Sequence, residues 1–215
     1  MKKILFATTI LFATTNIASA ETTKMDGFYI SPKLGVNFTE ISKVTETYMG
    51  STTNYTDAKD STVNLGLAFG YDFSKKFNVP VRSELEYMTR GDVKKSYTTN
   101  VNNEVSIDTL VINAYYDFKN ETKFTPYIGG GLGMAFVDTK ISYGALSISD
   151  DKTNFAWNAG FGVNYDLNEK NSIGLGYRYF DYGKMELNKN ILSNNYNAKG
   201  DAIGHEVLLS YKFNF

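Results

Sequence analysis

Six charged residues stand where charge is costly: Lys33, Arg82, Glu84, Glu86, Arg178 and Glu206. Each falls on the polar side of a stretch that alternates apolar and small polar residues, near mid-stretch. Gathered round one axis, three cations and three anions would make either an ion-selective pore or a salt-bridged plug. An eight-stranded barrel has an interior just wide enough to be filled by side chains, and buried charges persist only when paired. The plug is therefore the expectation, with these six as its structural network. His205, the only histidine, would need a neighbouring Ser or Asp to work as a base. Its parity puts it on the apolar side near the end of its strand, as an interfacial side chain. Gly129-Gly130-Gly131-Leu132-Gly133 is followed by no Lys-Ser/Thr and no helix pattern, so a phosphate loop lacks its mechanism. With no cysteine and one histidine, a nitrogen or sulfur metal site is not expected; Asp57 with Asp60 and Asp150-Asp151 could at most hold calcium loosely. No catalytic residue and no cofactor is expected.

The elements that position the six charges are read from period-two alternation, because a strand sends successive side chains to opposite faces. Phe28, Ile30, Pro32, Leu34, Val36 and Phe38 oppose Tyr29, Ser31, Lys33, Gly35 and Asn37. Val63 to Phe73, Val79 to Arg90, Leu110 to Phe118, Ile128 to Phe136, Phe155 to Leu167 and Ile173 to Tyr179 repeat the rule, and Ile203 to Phe215 closes the set. Except for His205 and tyrosines, no titratable residue falls on an apolar face. A charge on a lipid-facing strand costs about 2–4 kcal/mol at the bilayer midplane, so the exclusion is expected of a membrane barrel. The opposite faces are rich in glycine, asparagine and alanine, as a narrow lumen requires.

Composition agrees. There are 16 Tyr and 15 Phe against one Trp, and 18 Gly against 3 Pro. This suits interfacial aromatic belts and long strands. The net charge of −1 offers nothing to attract nucleic acid. Lys2-Lys3, an apolar run from Ile4 to Ile17 and Ala18-Ser19-Ala20 predict a secretory signal peptide over 1–20. Residues 21–215 then form the barrel.

Tyr71-Asp72-Phe73, Tyr116-Asp117-Phe118, Tyr165-Asp166-Leu167 and Tyr211-Lys212-Phe213 recur at spacings of 45, 49 and 46 residues. Each would end one hairpin, so four copies imply eight strands. Short polar turns follow the first three, at 74–78, 119–123 and 168–171. The other connections are long, at about 39–60, 91–103, 137–152 and 184–199. That asymmetry predicts periplasmic turns and extracellular loops, with an outer aromatic belt at Phe38, Tyr87, Phe136, Phe155, Trp157 and Tyr179. The fold class expected is all-β, an eight-stranded antiparallel up-and-down transmembrane β-barrel.

Pro126-Tyr127-Ile128-Gly129-Gly130-Gly131-Leu132-Gly133, Tyr177 to Gly183 and the closing Tyr211-Lys212-Phe213-Asn214-Phe215 resemble the opacity/OmpA-like small surface-antigen barrels. Lys152 to Trp157 with Asp181-Tyr182-Gly183-Lys184 is similar to the rickettsial-type adhesins of that group. The resemblance implies an eight-stranded barrel held in outer-membrane lipid, and adhesion to host-surface or serum proteins through the loops. It also implies that Tyr211, Phe213 and the terminal Phe215 form a signal read by the outer-membrane assembly machinery. The loops are rich in Thr, Ser, Asn and Tyr, and their formal charges of −2, +1, −1 and +2 cancel, so capture of polyanions is not suggested. The expectation is a non-enzymatic surface antigen or adhesin. The alternative is a structural or narrow-pore small-solute barrel without a specific partner.

Overall fold

A computed structural model describes residues 26–48, 50–54, 57–98, 101–143, 146–191 and 194–215. The expected signal peptide lies outside them. Strands β1 (Phe28–Tyr48), β2 (Ser51–Asn54) and β3 (Ala58–Asp72) come first, then the one-turn helix α1 (Ser74–Phe77). Strands β4 (Val81–Arg90), β5 (Val93–Thr98), β6 (Val101–Asp117) and β7 (Phe124–Tyr143) follow, and β8 (Leu146–Asp166), β9 (Asn171–Ile191) and β10 (Asn194–Asn214) complete the chain.

Eight of these strands, β1, β3, β4 and β6 to β10, pair antiparallel with their neighbours. Pairing of β1 with β10, from Tyr29↔Asn214 to Tyr48↔Tyr196, closes the ring. Closure pairs the first strand with the last, as a membrane barrel requires, because an unpaired backbone group in lipid would cost several kcal/mol. Parity follows the sequence. Leu34, Leu65, Leu85, Ile112, Leu132, Phe161, Leu175 and Leu209 point outward and are about half exposed or more, whereas Asn37, Asn64, Glu86, Asn113 and Glu206 are fully buried. On β7 the outward apolar band runs from Ile128 to Phe136, nine residues, the length a tilted strand needs to cross the hydrocarbon core.

The long connections differ from the expected loops. Among the described residues they are mostly strand: the β7–β8 ladder continues to Tyr143↔Leu146 and the β9–β10 ladder to Asn194↔Ile191. β2 pairs back on β1, and β5 on β6. The apolar alternation stops where lipid stops, but the hydrogen-bonded ladder does not need lipid. Thr, Val, Ile and Tyr in these stretches suit a pleated surface. From Phe136, β7 runs seven more residues, about 24 Å of strand.

Toward the hairpin end the ring opens at two forks. The β8–β9 ladder ends at Trp157↔Asp181, and the β3–β4 ladder at Asn64↔Arg90. Past those points β5–β6–β7–β8 form one sheet, and β9–β10–β1 with β2 and β3 form the other. Gly183 sets the first fork. Its φ of 78° is in the left-handed region that favours glycine, and a Cβ there would lie 2.8 Å from the Phe155 carbonyl. Irregularities between Asp201 and Ile203 and between Ser42 and Thr45 occur at the same level. Together they turn the second sheet away from β8.

Candidate functional site

The interior has two layers. In the membrane-embedded part, inward side chains form an ion-pair network. Lys33 Nζ donates to Glu84 Oε2 and to Glu86 Oε2, each at 2.5 Å. Arg178 Nη1 donates to Glu86 Oε1 at 2.7 Å, and its Nε pairs with Glu206 Oε2. Arg82 donates to Glu84 at 3.0 Å and to Asp117 at 3.1 Å. The structure thus gathers Lys33, Arg82, Glu84, Glu86, Arg178 and Glu206 into one cluster.

Two members escaped the sequence reading. Arg90 Nε donates to Glu206 Oε1 at 2.8 Å; its Nη2 lies 2.7 Å from the same oxygen, at an angle too poor for a hydrogen bond. Asp117 completes a set of four cations and four carboxylates. Both residues sit on the polar faces, and the signal was available. Arg90 lies at a strand end, and Asp117 is the middle residue of the repeated Tyr-Asp-Phe. That repeat has a structural meaning: its outer members form edge-on aromatic pairs, Tyr71–Phe73 at 4.9 Å and Tyr116–Phe118 at 5.1 Å. Its middle residues in the first two copies, Asp72 and Asp117, are buried.

Tyrosines surround the network. Tyr29 and Tyr115 donate to the two oxygens of Glu84 at 2.9 and 3.2 Å, and the Arg82 guanidinium lies 3.9 Å from the Tyr115 ring centre. Glycines give these side chains room: a Cβ on Gly131 would lie 2.0 Å from Asn113 Oδ1, and one on Gly160 would lie 2.4 Å from the Tyr177 carbonyl. A cavity of about 40 Å³ remains beside Lys33, Arg82 and Arg178, space for roughly three waters.

Above the network the interior turns apolar. Ile107, Val111, Ala135, Val137 and Ala156 from one sheet pack against Phe180, Tyr182 and Ala202 from the other. The seam is a layer of rings. Phe180 stacks on Tyr182 at 4.7 Å, the Arg90 guanidinium lies 5.0 and 4.8 Å from the two ring centres, and Tyr182 donates to Glu206 at 3.1 Å.

His205 faces outward, 2.7 Å from the Tyr177 hydroxyl through Nδ1 and edge-on to Tyr179 at 5.5 Å. Asp60 accepts from the Ser61 amide at 2.8 Å, and Asp151 stands opposite Asp138. Among the described residues no group of three or more His, Cys, Asp or Glu side chains could hold a metal. Tyr211 donates to Asn171 at 2.5 Å, and Phe213 packs edge-on against Phe215 at 5.6 Å.

A closed ring with a lipid-facing girdle and a filled interior defines a small membrane β-barrel, and comparison with known proteins gives its family. Residues 4–213 match the model of the outer membrane protein beta-barrel domain, and the chain belongs to that family. It is an outer-membrane protein. It is 30% identical to the outer membrane protein PagN of Salmonella typhimurium, over 92% of this chain and 93% of that one. A Rickettsia canadensis protein classed provisionally as an adhesin is 33% identical over 61% of this chain and 63% of its own. Among solved structures, Neisserial surface protein A shares the fold with a TM-score of 0.56 at 16% identity, covering 88% of this chain and 97% of that one. OprG of Pseudomonas aeruginosa does so with 0.56 at 18%, covering the same shares.

Proposed function

We propose that this protein is a surface adhesin that contacts host-surface or serum proteins through the hairpin end of the barrel, with that end outside the cell and the short turns in the periplasm. The observation that carries the reading is that paired strand continues well past the lipid-facing band, presenting a stiff platform instead of slack loops. Binding residues on rigid elements lose less freedom on association. The adhesin class of the rickettsial relative supports it. The filled lumen argues against the small-solute pore, because matched charges and packed rings leave room only for a few waters. The reading assigns no catalysis to His205, which is engaged by Tyr177. It keeps Tyr211, Phe213 and Phe215 as the signal for the assembly machinery.

Display in a non-adherent bacterium tests the proposal. Attachment to host cells or capture of serum proteins is expected, and it should disappear when the β7–β8 and β9–β10 hairpins are shortened to the level of Phe136 and Asp181. Unchanged attachment in the shortened form, or none in the intact form, would reject it. Surface proteolysis of intact cells should cut the hairpin end and spare 118–123 and 167–170; the reverse pattern would invert the topology.

A further inference from the structure

The fourth copy of the hairpin-ending repeat breaks the rule of the other three. Its middle residue is Lys212, where Asp72, Asp117 and Asp166 hold the place in the earlier copies. In the first two copies the aspartate answers a cation: Asp117 pairs with Arg82 at 3.1 Å, and Asp72 lies 3.8 Å from Lys119. Lys212 points into the turn end of the lumen, its Nζ 5.4 Å from the Tyr29 ring centre. Asp117, Asp72 and Asp166 attract it and Arg82 repels it. Among the described residues it forms no ion pair and no hydrogen bond. The network of four cations and four carboxylates balances without it, so Lys212 is a fifth cation of the lumen.

Lys212 borders the cavity of about 40 Å³. Lys33, Arg82 and Arg178 border it too, and among the described residues Glu84 is the one carboxylate on its wall. Glu86, Glu206, Asp117, Asp72 and Asp166 all stand outside that wall. Four cations against one carboxylate, in a low-dielectric enclosure, make the local potential positive. Hydrogen-bond donors are also left over. Arg178 gives Nη1 to Glu86 and Nε to Glu206, but its buried Nη2 has no partner. Lys212 keeps three N–H donors, and Tyr127 and Ser210 bring hydroxyls to the same wall. The room is that of roughly three waters. That is enough for a single-atom anion with residual water, and too little for a phosphate or sulfate with its hydration. Water alone would answer the donors and leave the potential unbalanced.

We infer that this cavity is a binding site for a monovalent inorganic anion, chloride or another halide, held by Lys212 and the Arg178 Nη2 group. The ion supplies Lys212 with the close counter-charge that the aspartates of the first two copies supply to Arg82 and Lys119. It is a structural ion, because the packed network stands between it and the hairpin end. The inference is independent of the adhesin reading.

Refolding the protein into lipid vesicles in chloride or in gluconate, at equal ionic strength, tests the site. Unfolding in urea is followed by the emission of Trp157, the only tryptophan. The midpoint should rise with chloride and level off, as linkage to a bound ligand requires. Gluconate, too large for the cavity, should leave it unchanged. Lys212→Gln should abolish the chloride dependence, whereas Lys75→Gln, at an exposed turn position, should keep it, with folding verified by heat-shifted gel migration. A crystal grown in bromide gives a readout that needs no variant: anomalous density is expected beside Lys212 and Arg178. No density there, a rise that never saturates, or an equal rise in Lys212→Gln would overturn the inference. Bromide density with no chloride effect on the midpoint would mean an adventitious ion only, and would overturn it as well.

Discussion

The two layers of the interior hold the barrel by different physics. The membrane-embedded layer is charged, with each carboxylate of the Glu84–Glu86–Glu206 set answered by two cations. The layer beyond it is apolar, built from two facing sheets. In the first, any one partner is worth most when its neighbours remain, since a single deletion leaves an uncompensated buried charge. In the second, each side chain contributes by its own volume, and a truncation costs in proportion to the cavity it leaves. A network of this kind specifies a single arrangement, whereas an apolar core tolerates graded change.

The largest expected effect tests that contrast. Glu206→Ala should strand Arg90 and part of Arg178 and cost about 3–5 kcal/mol, read as a shift in urea unfolding followed by Trp157 fluorescence in lipid vesicles. Combining Glu206→Leu with Arg90→Met should recover most of that loss, because Arg178 keeps Glu86. Losses that add in the double variant would break the comparison. Next, Ile107→Ala in the apolar layer should cost about 2–4 kcal/mol and combine additively with Glu206→Ala; strong coupling would mean that the two layers act as one.

Gly160→Val places its new carbons against the Tyr177 carbonyl and Arg178, and overpacking should cost about 1–3 kcal/mol by the same measurement. A neutral result would show that the strands can part locally. The smallest effect lies at Asp138. Because its folded-state pKa is raised, the protonated acid is the form that folding favours. The stabilisation is present at acidic pH and is lost as pH rises through the raised folded value. Asp138→Asn should flatten that dependence and stabilise the neutral-pH protein by at most about 1 kcal/mol. An unchanged pH profile would remove the carboxylate pair from consideration.

The two layers were unequally legible. The alternation around Leu65, Leu132 and Phe161 reported the lipid face, because a charge there is prohibitive and leaves a visible gap in the sequence. The six lumen charges were legible for the complementary reason. Arg90 was passed over because it ends its strand, and parity does not say how far a long side chain reaches. The apolar layer was not legible. Ile107, Val137, Phe180 and Tyr182 follow no pattern that separates them from a loop, since the second sheet against which they pack comes from distant parts of the chain.

By itself, the sequence determined the membrane face, the strand count and the parity that puts glutamates and arginines inside, because a period of two and the cost of charge in lipid act locally. Tertiary structure alone decided which cation meets which carboxylate and where the ring forks. Those depend on register across strands far apart in the chain and on one positive-φ glycine, and neither is written in any single stretch.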